Sequence, residues 1–500
     1  MRTPSNRRQF LKSCAATGAL WGLGDGGLFP HIPSLHAAES EIQPNFVRFS
    51  SDIEPLIRLL EETSRNRLLE EVAHRIKRGT TYREVLSALF LAGVRNIQPR
   101  PVGFKFHAVL VVNSAHLASL NSPDSDRWLP IFWALDYFKS SQARDASQSD
   151  WTLQSVDERL VPPTSKASTM FSEAMDHWDE AKADVAIAGL ARTAGTEELF
   201  DIFCRYGARD FRDIGHKAIY VANGWRTLQT IGWQHAEPVL RSLAYGLLQR
   251  DGGNPADNDY EADRPGRSNL QALKEIRAGW RHGETKPKAT QELLNVLRQG
   301  NWQDASRNVI DLLNGGIDPQ SLWDAIFQHA AEMMMRRPAI ISLHACTTSN
   351  ALHYLYRHTN NDETRRFLLL QNAAFLTMFR RAGGIGEGIT IDTFSPAEGT
   401  PSLEDIFTGV SNNRILAAQK TLAFLEQTKD PKSFIAAAQR MIYLKGNDSH
   451  DYKFSSAMLE DYQHLSPELR ARFLSASVFW LDGTEKPDNR LVARTRAALG

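Results

Sequence analysis

The stretch that decides the fold lies in the second half of the chain and reads Ile341-Ser342-Leu343-His344-Ala345-Cys346-Thr347-Thr348-Ser349-Asn350-Ala351-Leu352-His353. Its apolar residues recur three and four positions apart, which predicts a buried helix. At about 100° per residue, His344, Thr347 and Thr348 share one face, and His353 points nearly opposite. A buried imidazole without a hydrogen-bond partner costs about 1–3 kcal/mol. We therefore expect Thr347 or Thr348 to bond His344, which either belongs to the core or lines a cavity.

Two other apolar segments carry polar residues of the same kind. His107 begins the apolar run 107–112, whose β-branched residues also fit a buried strand, although the length of the whole segment 104–116 favours a helix. Helical spacing puts His216, Tyr220 and Asn223 on one stripe. A histidine, a phenol and an amide in a row either hold a polar aromatic ligand or bond one another within the core.

A fourth segment lies near the end of the chain. Asp448 or Ser449 is a typical N-cap, and the helix it would begin carries His450 and Lys453 one turn apart. Asp451 near the start of a helix is favourable in any protein, which is the structural alternative to a functional role.

The amino-acid composition limits the functions that the protein can have. The 500 residues include 58 basic and 58 acidic side chains, and this balance argues against a dedicated nucleic-acid binder.

Few segments show the alternation of apolar and polar residues that is typical of strands. We therefore expect an all-α fold, a large multi-helix bundle or stacked helical pairs. Loops are expected at 251–267, as an exposed insertion or lid, and at 383–402, and a division of residues 39–500 into two helical halves is compatible with them. Residues 142–166 look irregular. Cys204 and Cys346 fall in apolar helical patterns and are expected to be buried thiols.

The N-terminus resembles an export signal. Arg7-Arg8-Gln9-Phe10-Leu11-Lys12 resembles a twin-arginine motif, and a weakly apolar Ala/Gly-rich stretch follows it. We expect residues 1–38 to be a signal peptide that directs a folded protein out of a bacterial cytoplasm, to the periplasm or beyond. The apolar stretch is too short and too rich in glycine for a stable membrane anchor.

Standard metal and nucleophile motifs are incomplete. His450-Asp451 lacks the other ligands of metal phosphohydrolases, and Glu71-x-x-His74 is a single ExxH where di-iron bundles need two. HExxH and GxSxG do not occur. No metal ligand is assigned from spacing, although histidines that are distant in sequence can still meet at a metal in the folded chain.

Taken in order, these motifs resemble the questin-oxidase-like family. The segment from Leu343 to Leu352 is similar to its LHxxT…AL helix, and His216-Lys217-Ala218-Ile219-Tyr220-Val221-Ala222 to its HxxIxxA helix. The segment from His450 to Lys453 matches its HxxK pattern, and His107 stands where the family has an early histidine.

The resemblance implies an all-α oxidoreductase of monooxygenase type, one that oxygenates or opens a ring of a hydroxylated aromatic or quinone without bound flavin or metal. In that chemistry a histidine base deprotonates a phenol, which then reacts with dioxygen. His216 or His344 is our candidate base, and Lys453 would stabilise the developing negative charge. The full candidate set is catalytic His216, His344, His450 and Lys453, with substrate contacts from His107, Tyr220, Asn223, Thr347 and Thr348.

Export limits the cofactors and partners that we expect. No cofactor is predicted, and export argues against NADPH, because no free supply is expected outside the cytoplasm. The expected partners are a small aromatic substrate, dioxygen and the twin-arginine export machinery. A histidine-liganded metalloenzyme and a non-catalytic helical binding or scaffold protein remain the alternatives. In the scaffold case the four histidines would lie far apart, each bonded locally.

Overall fold

Helix follows helix through residues 46–500, the part of the chain that the computed structural model describes. Numbered in chain order, its α-helices are α1 (Glu54–Glu62), α2 (Arg65–Lys77), α3 (Tyr82–Asn96), α4 (His107–Leu110), α5 (Val112–Leu120), α6 (Leu129–Gln148), α7 (Thr164–Asp176), α8 (Glu180–Thr193), α9 (Thr196–Gly207), α10 (His216–Ile231), α11 (Ala236–Leu247), α12 (Arg264–Ala272), α13 (Pro287–Gln299), α14 (Trp302–Asn314), α15 (Pro319–Arg336), α16 (Ile340–His358), α17 (Asp362–Ala382), α18 (Leu403–Asn412), α19 (Arg414–Thr428), α20 (Pro431–Lys445), α21 (Ser449–Asp461), α22 (Arg470–Ser475) and α23 (Arg490–Leu499). Single 3-10 turns precede several of them, including Phe104–Phe106 before α4 and Arg212–Gly215 before α10. No β-strand occurs in residues 46–500, where two isolated bridges pair Phe46 with Gln154 and Glu284 with Ile317. The all-α prediction is confirmed.

The decisive stretch forms the central helix α16. It packs against α10, α15, α17 and α21, and every residue from Ser342 to Leu355 is buried. Because α16 is covered on all sides, each polar group along it must find a partner inside the protein. This requirement brings the polar faces of α10 and α21 against it.

Local signals placed several helix ends correctly. Thr81 and Glu84 form a capping box at the start of α3. Asp448 caps α21, accepting a hydrogen bond from the backbone of His450. The predicted helix over 104–116 forms in two pieces, α4 and α5. Cys204 and Cys346 are buried free thiols, as expected.

Two expectations about irregular segments were wrong. Residues 142–148 belong to the last turns of α6 rather than to a loop. The second half of the proposed lid is a 3-10 turn, Glu261–Asp263, followed by α12. This half lacks an apolar stripe because polar contacts hold it: Arg212 pairs with buried Asp263, and the Asn269 amide donates to the Gln371 side chain over 2.8 Å. The loop region 383–402 contains no helix.

Residues Phe46–Gly500 form one compact unit. The expected signal peptide, residues 1–38, lies outside the described residues. Among the helices that the structure describes, none has both the length and the apolar character needed to span a membrane.

Candidate functional site

Three anchored neighbours position His107, the first residue of α4. The Cα of Gly103 lies so close to the His216 imidazole that a Cβ at this position would sit 3.4 Å from its Cε1. Lys105 is buried and pairs with Asp145 over 2.6 Å. Phe106 is fully buried, and its ring meets the edge of Tyr220 at a centroid distance of 4.8 Å. With the residues on its N-terminal side fixed in this way, the imidazole of His107 has little freedom to leave the interior.

His216 follows a strained turn. Asp213, Ile214 and Gly215 have φ values of 51°, 46° and 79°. A left-handed conformation costs about 1–2 kcal/mol for an ordinary L-residue and is a marked outlier for β-branched isoleucine. The turn directs the Asp213 carbonyl at Nδ1 of His216, which donates a short hydrogen bond to it. Strain of this kind persists where the surrounding structure over-determines the conformation, often at functional sites.

A buried ion pair and a close contact hold that turn in place. Lys217 is fully buried and donates to Asp210 over 2.8 Å. Gly215 packs against Thr348 on α16, and a Cβ at this position would lie 2.0 Å from the Thr348 Oγ1. Only glycine fits here, because both the left-handed φ and the contact exclude a side chain.

His344 and His450 are oriented in the same way as His216. Nδ1 of His344 donates to the Ile340 carbonyl over 2.7 Å. Nδ1 of His450 lies 2.5 Å from Oδ1 of Asp448, the residue that caps α21. A carbonyl oxygen only accepts, and so does an ionised carboxylate; each of the three Nδ1 atoms therefore carries the hydrogen. In each neutral ring the lone pair then lies on Nε2.

The four imidazoles meet at one place. Nε2 of His216 lies 2.8 Å from Nε2 of His107 and 2.9 Å from Nε2 of His344. The ring of His450 is centred 4.6 Å from that of His107 and 5.2 Å from that of His344. Ligand nitrogens of His107, His344 and His450 all lie within 4.8 Å of one another. We call these four histidines, with Lys453, the histidine centre.

The contact between His216 and His344 brings two acceptor nitrogens together. Both rings carry their hydrogen on Nδ1, so two Nε2 lone pairs face each other across 2.9 Å. A proton between them would make one ring an imidazolium. Burial, reinforced by the neighbouring charge of Lys453, holds the pKa of both histidines well below the usual value. A metal ion satisfies the same lone pairs without protonating either ring.

The second coordination sphere also fits a metal site. Histidines that bind metals donate their other ring N–H to a carbonyl or a carboxylate, which fixes the tautomer and raises the basicity of the ligand. The carbonyls of Asp213 and Ile340 and the carboxylate of Asp448 supply these three acceptors. Nε2 of His450 is buried and has no hydrogen-bond partner among the described residues. Neutral imidazole suits zinc, copper, iron and nickel.

Lys453 is one turn beyond His450 on α21. Its side chain is 2% exposed, and its Nζ has no hydrogen-bond partner among the residues described. Burial lowers the pKa of Lys453 to about 7, against the opposing attraction of Asp448. The amine is therefore present in both its charged and its neutral form near pH 7. It can act there as a cation toward negative charge or as a nitrogen base.

Other candidate residues use their polar atoms elsewhere. The Tyr220 hydroxyl donates to Ser242 Oγ over 2.7 Å, and the Asn223 amide donates to the Leu110 carbonyl over 3.1 Å. Each of these donors is thus used by the protein itself. His216, Tyr220 and Asn223 do not bond one another, so the alternative of a network among the three is wrong, and each has its own partners elsewhere in the core.

The expected partner of His344 was wrong. Thr347 Oγ1 donates back to carbonyls of its own helix, those of Leu343 and His344. Thr348 Oγ1 is buried, has no hydrogen-bond partner among residues 46–500, and packs on Gly215. The imidazole of His344 instead uses the Ile340 carbonyl, one turn earlier, because that oxygen lies within reach of Nδ1 while Nε2 faces His216.

Sequence reasoning missed the groups that orient the histidines. Asp448 was expected only as a helix cap, although Asp448-x-His450 at a helix start is a pattern that brings a carboxylate to Nδ1. Nothing in the sequence marked Asp213 as part of the site. Its carbonyl orients His216, and burial raises the pKa of its own carboxyl to about 6.

In comparisons with protein-family models, curated proteins and solved structures, no match to this chain was found. The resemblance to questin-oxidase-like proteins therefore stays a prediction from the motifs quoted above.

Proposed function

We propose that this protein is an exported, oxygen-dependent metalloenzyme that acts on a hydroxylated aromatic or quinone-like substrate, with its metal held by His107, His216, His344 and His450. One observation carries the metal part of the proposal: the facing Nε2 lone pairs of His216 and His344, both fixed by backbone acceptors. The oxygen and substrate parts rest on the family resemblance of the motifs that hold these residues.

Each residue of the histidine centre has a distinct role in this proposal. His216, His344 and His450 present lone pairs whose direction is set by Asp213, Ile340 and Asp448. Burial of the histidines keeps water away from the centre, which strengthens electrostatic interactions inside it. Lys453, whose Nζ has no hydrogen-bond partner in the described part of the chain, either takes the phenolic proton of the substrate or stabilises the phenolate that remains. A bound redox-active metal would supply the activation of dioxygen.

Export fits this proposal. Twin-arginine transport moves folded proteins, so a metal can be bound inside the cell before transfer. The mature enzyme would then need no NADPH outside.

The test combines metal analysis with oxygen consumption. The mature protein is purified after export from a bacterial host that carries the twin-arginine pathway, and its metals are quantified. We expect about one transition metal per chain, lost in His216→Ala and His344→Ala. An oxygen electrode then follows consumption with 1-naphthol as the hydroxylated aromatic. Protein that contains no transition metal would contradict the proposal.

A second candidate is the metal-free oxygenase implied by the resemblance. The observation that favours it is the buried Lys453 beside the histidines, whose Nζ has no hydrogen-bond partner among the described residues and whose pKa of about 7 lets it take a phenolic proton without a metal. Removal of the metal with a chelator distinguishes the metalloenzyme from the metal-free oxygenase. If oxygen consumption survives removal of all transition metals but is lost in the histidine variants, the metal-free mechanism is correct.

A further inference from the structure

A polar cleft lies on the opposite side of α16 from the histidine centre. It has a volume of about 550 Å³ and is bounded by the start of α15, the end of α16 and the segment from Gln463 to Arg470. His353, in its wall, is nine residues beyond His344, a rise of about 13 Å along the helix. The cleft is therefore a separate site from the histidine centre.

The floor of the cleft is aromatic. Trp323 lies 4.6 Å from His353 and 5.0 Å from Tyr356, measured between ring centroids. His464 lies 4.7 Å from His353 on the other side. Trp323 and His353 are buried, so their rings are fixed in place beneath the partly exposed Tyr356 and His464. Aromatic faces of this kind bind flat rings through offset or edge contacts.

The rim of the cleft is basic. Arg281, Arg357 and Arg470 line it, with Asp318 as the one carboxylate among its described lining residues. Arg281 reaches Asp362 only at 3.9 Å. Arg357 donates to the His464 imidazole, and Arg470 donates to backbone carbonyls. The guanidinium charges of Arg357 and Arg470 thus have no carboxylate partner within 4.0 Å in the described structure.

One buried donor in the floor is poorly satisfied. The indole Nε1 of Trp323, a residue that is 2% exposed, lies near the Tyr356 hydroxyl but makes no hydrogen bond of normal geometry within residues 46–500. A buried donor without a partner costs about 1–3 kcal/mol, and a bound acceptor would remove that cost. Burial first, then the nearby His464 and Arg357, holds the pKa of His353 well below its usual value, so this imidazole is neutral at pH 7 and the arginines carry the positive charge of the cleft.

We propose that this cleft binds a flat aromatic carboxylate, whose ring packs against Tyr356 and His464 above the buried Trp323 and whose carboxylate pairs with Arg357 and Arg470. Guanidinium groups bind carboxylates through two parallel hydrogen bonds, which gives both strength and orientation. The volume is in the range of small-molecule sites and suits one or two fused rings. The aromatic floor favours such a ligand over a bare inorganic anion.

The experiment is isothermal titration of the full mature protein, stripped of metal, with 2-naphthoate as the probe. We expect binding with a Kd below 1 mM, at least tenfold tighter than that of each of three comparators. The comparators are 2-naphthol, which lacks the carboxylate, cyclohexanecarboxylate, which lacks the flat ring, and inorganic phosphate. (The Kd ceiling corresponds to about 4 kcal/mol of binding free energy.)

Two variants and a matched control locate the binding. Arg357→Gln and Arg470→Gln should each weaken 2-naphthoate at least tenfold, whereas Arg307→Gln should not. Arg307 lies on α14 and pairs at the surface with Glu275. His450→Ala, at the histidine centre, should leave the affinity unchanged.

Three results would overturn the proposal: no binding of 2-naphthoate, equal binding of phosphate or 2-naphthol, or full affinity in both arginine variants. Loss of binding in His450→Ala alone would place the ligand at the histidine centre instead, and would also overturn it. None of these results depends on whether the histidine centre holds a metal, because the protein is metal-free throughout.

Discussion

Replacing Gly215 by alanine tests how the turn before α10 positions His216. The added Cβ would lie 2.0 Å from Thr348 Oγ1 and 2.8 Å from its Cγ2, at a φ of 79°. The left-handed conformation costs roughly 1–2 kcal/mol for alanine. Forcing the extra methyl into a packed interior costs about 1–3 kcal/mol more. The expected loss of stability is therefore roughly 2–5 kcal/mol.

That loss converts into a modest change of melting temperature. Unfolding entropy is about 2.1 cal/mol/K per residue, or roughly 1 kcal/mol/K for about 450 residues. Gly215→Ala should lower Tm by about 2–5 °C in a calorimetric or circular-dichroism melt. Because the turn carries the carbonyl that orients His216, the variant should also bind less metal per chain than the wild type.

Two further variants distinguish the cost of the left-handed backbone from the cost of the close contact with Thr348. Gly316 has a φ of 84° and no atom within 4 Å of where its Cβ would be. Gly316→Ala thus measures strain alone, about 1–2 °C, and should leave the metal in place. Adding Thr348→Ala to Gly215→Ala removes the two closest atoms and should recover part of the loss. If Gly215→Ala costs no more than Gly316→Ala and keeps its metal, the turn does not position His216.

Three other predictions follow from the same structure. Asp448→Asn should weaken Co²⁺ binding by about 10–100-fold in a titration, because Nδ1 of His450 loses its carboxylate while asparagine still caps α21. Phe104→Gly should raise Tm by about 1 °C, because Phe104 is 71% exposed and has a φ of 47°. His329→Leu should flatten the fall of stability in acid, followed by urea midpoints between pH 6.5 and 5. Burial, with three nearby arginines, holds the pKa of His329 well below 6.5 when folded, so only the unfolded chain takes up its proton there. Stability from this group is thus present above pH 6.5 and falls by about 1.4 kcal/mol per pH unit below it.

Each of these predictions has a control and a contrary result. Asp430→Asn changes the cap of α20, far in sequence from any histidine of the centre, and should leave Co²⁺ affinity intact. Equal affinity in Asp448→Asn would show that the carboxylate does not support His450. Leu416→Ala, an exposed apolar residue on α19, should not raise Tm; a loss of stability in Phe104→Gly would mean that the exposed ring has a structural role. His282→Gln is exposed and should keep the wild-type acid slope, and an unchanged slope in His329→Leu would refute the assignment.

The class of fold was predictable because helical periodicity is a local property. The spacing in 341–353 and the caps at Thr81 and Asp448 depend only on neighbours within a turn or two. The prediction of a lid at 251–267 was wrong because the contacts that order its second half are not local. The pairs Arg212–Asp263 and Asn269–Gln371 join distant segments through polar side chains, and hydrophobic periodicity does not predict such contacts.

The histidine centre was predictable in its members and not in its chemistry. Faces of single helices pointed to His107, His216, His344 and His450, but His216 and His344 are 128 positions apart, and their contact is a product of tertiary packing. His344 bonds a backbone carbonyl instead of the expected threonine. Every residue has a backbone carbonyl, so the sequence does not indicate which one a side chain will use. Tyr220 shows the limit of a helical stripe: it shares a face with His216, yet its hydroxyl bonds Ser242.

The most direct measurement of the central claim is an anomalous difference map from crystals of the exported protein, with data collected on both sides of the absorption edge of the metal found by elemental analysis. The account predicts one strong peak among the Nε2 atoms of His107, His216, His344 and His450, near Lys453. A map with no peak at that position, from crystals of active protein, would contradict it.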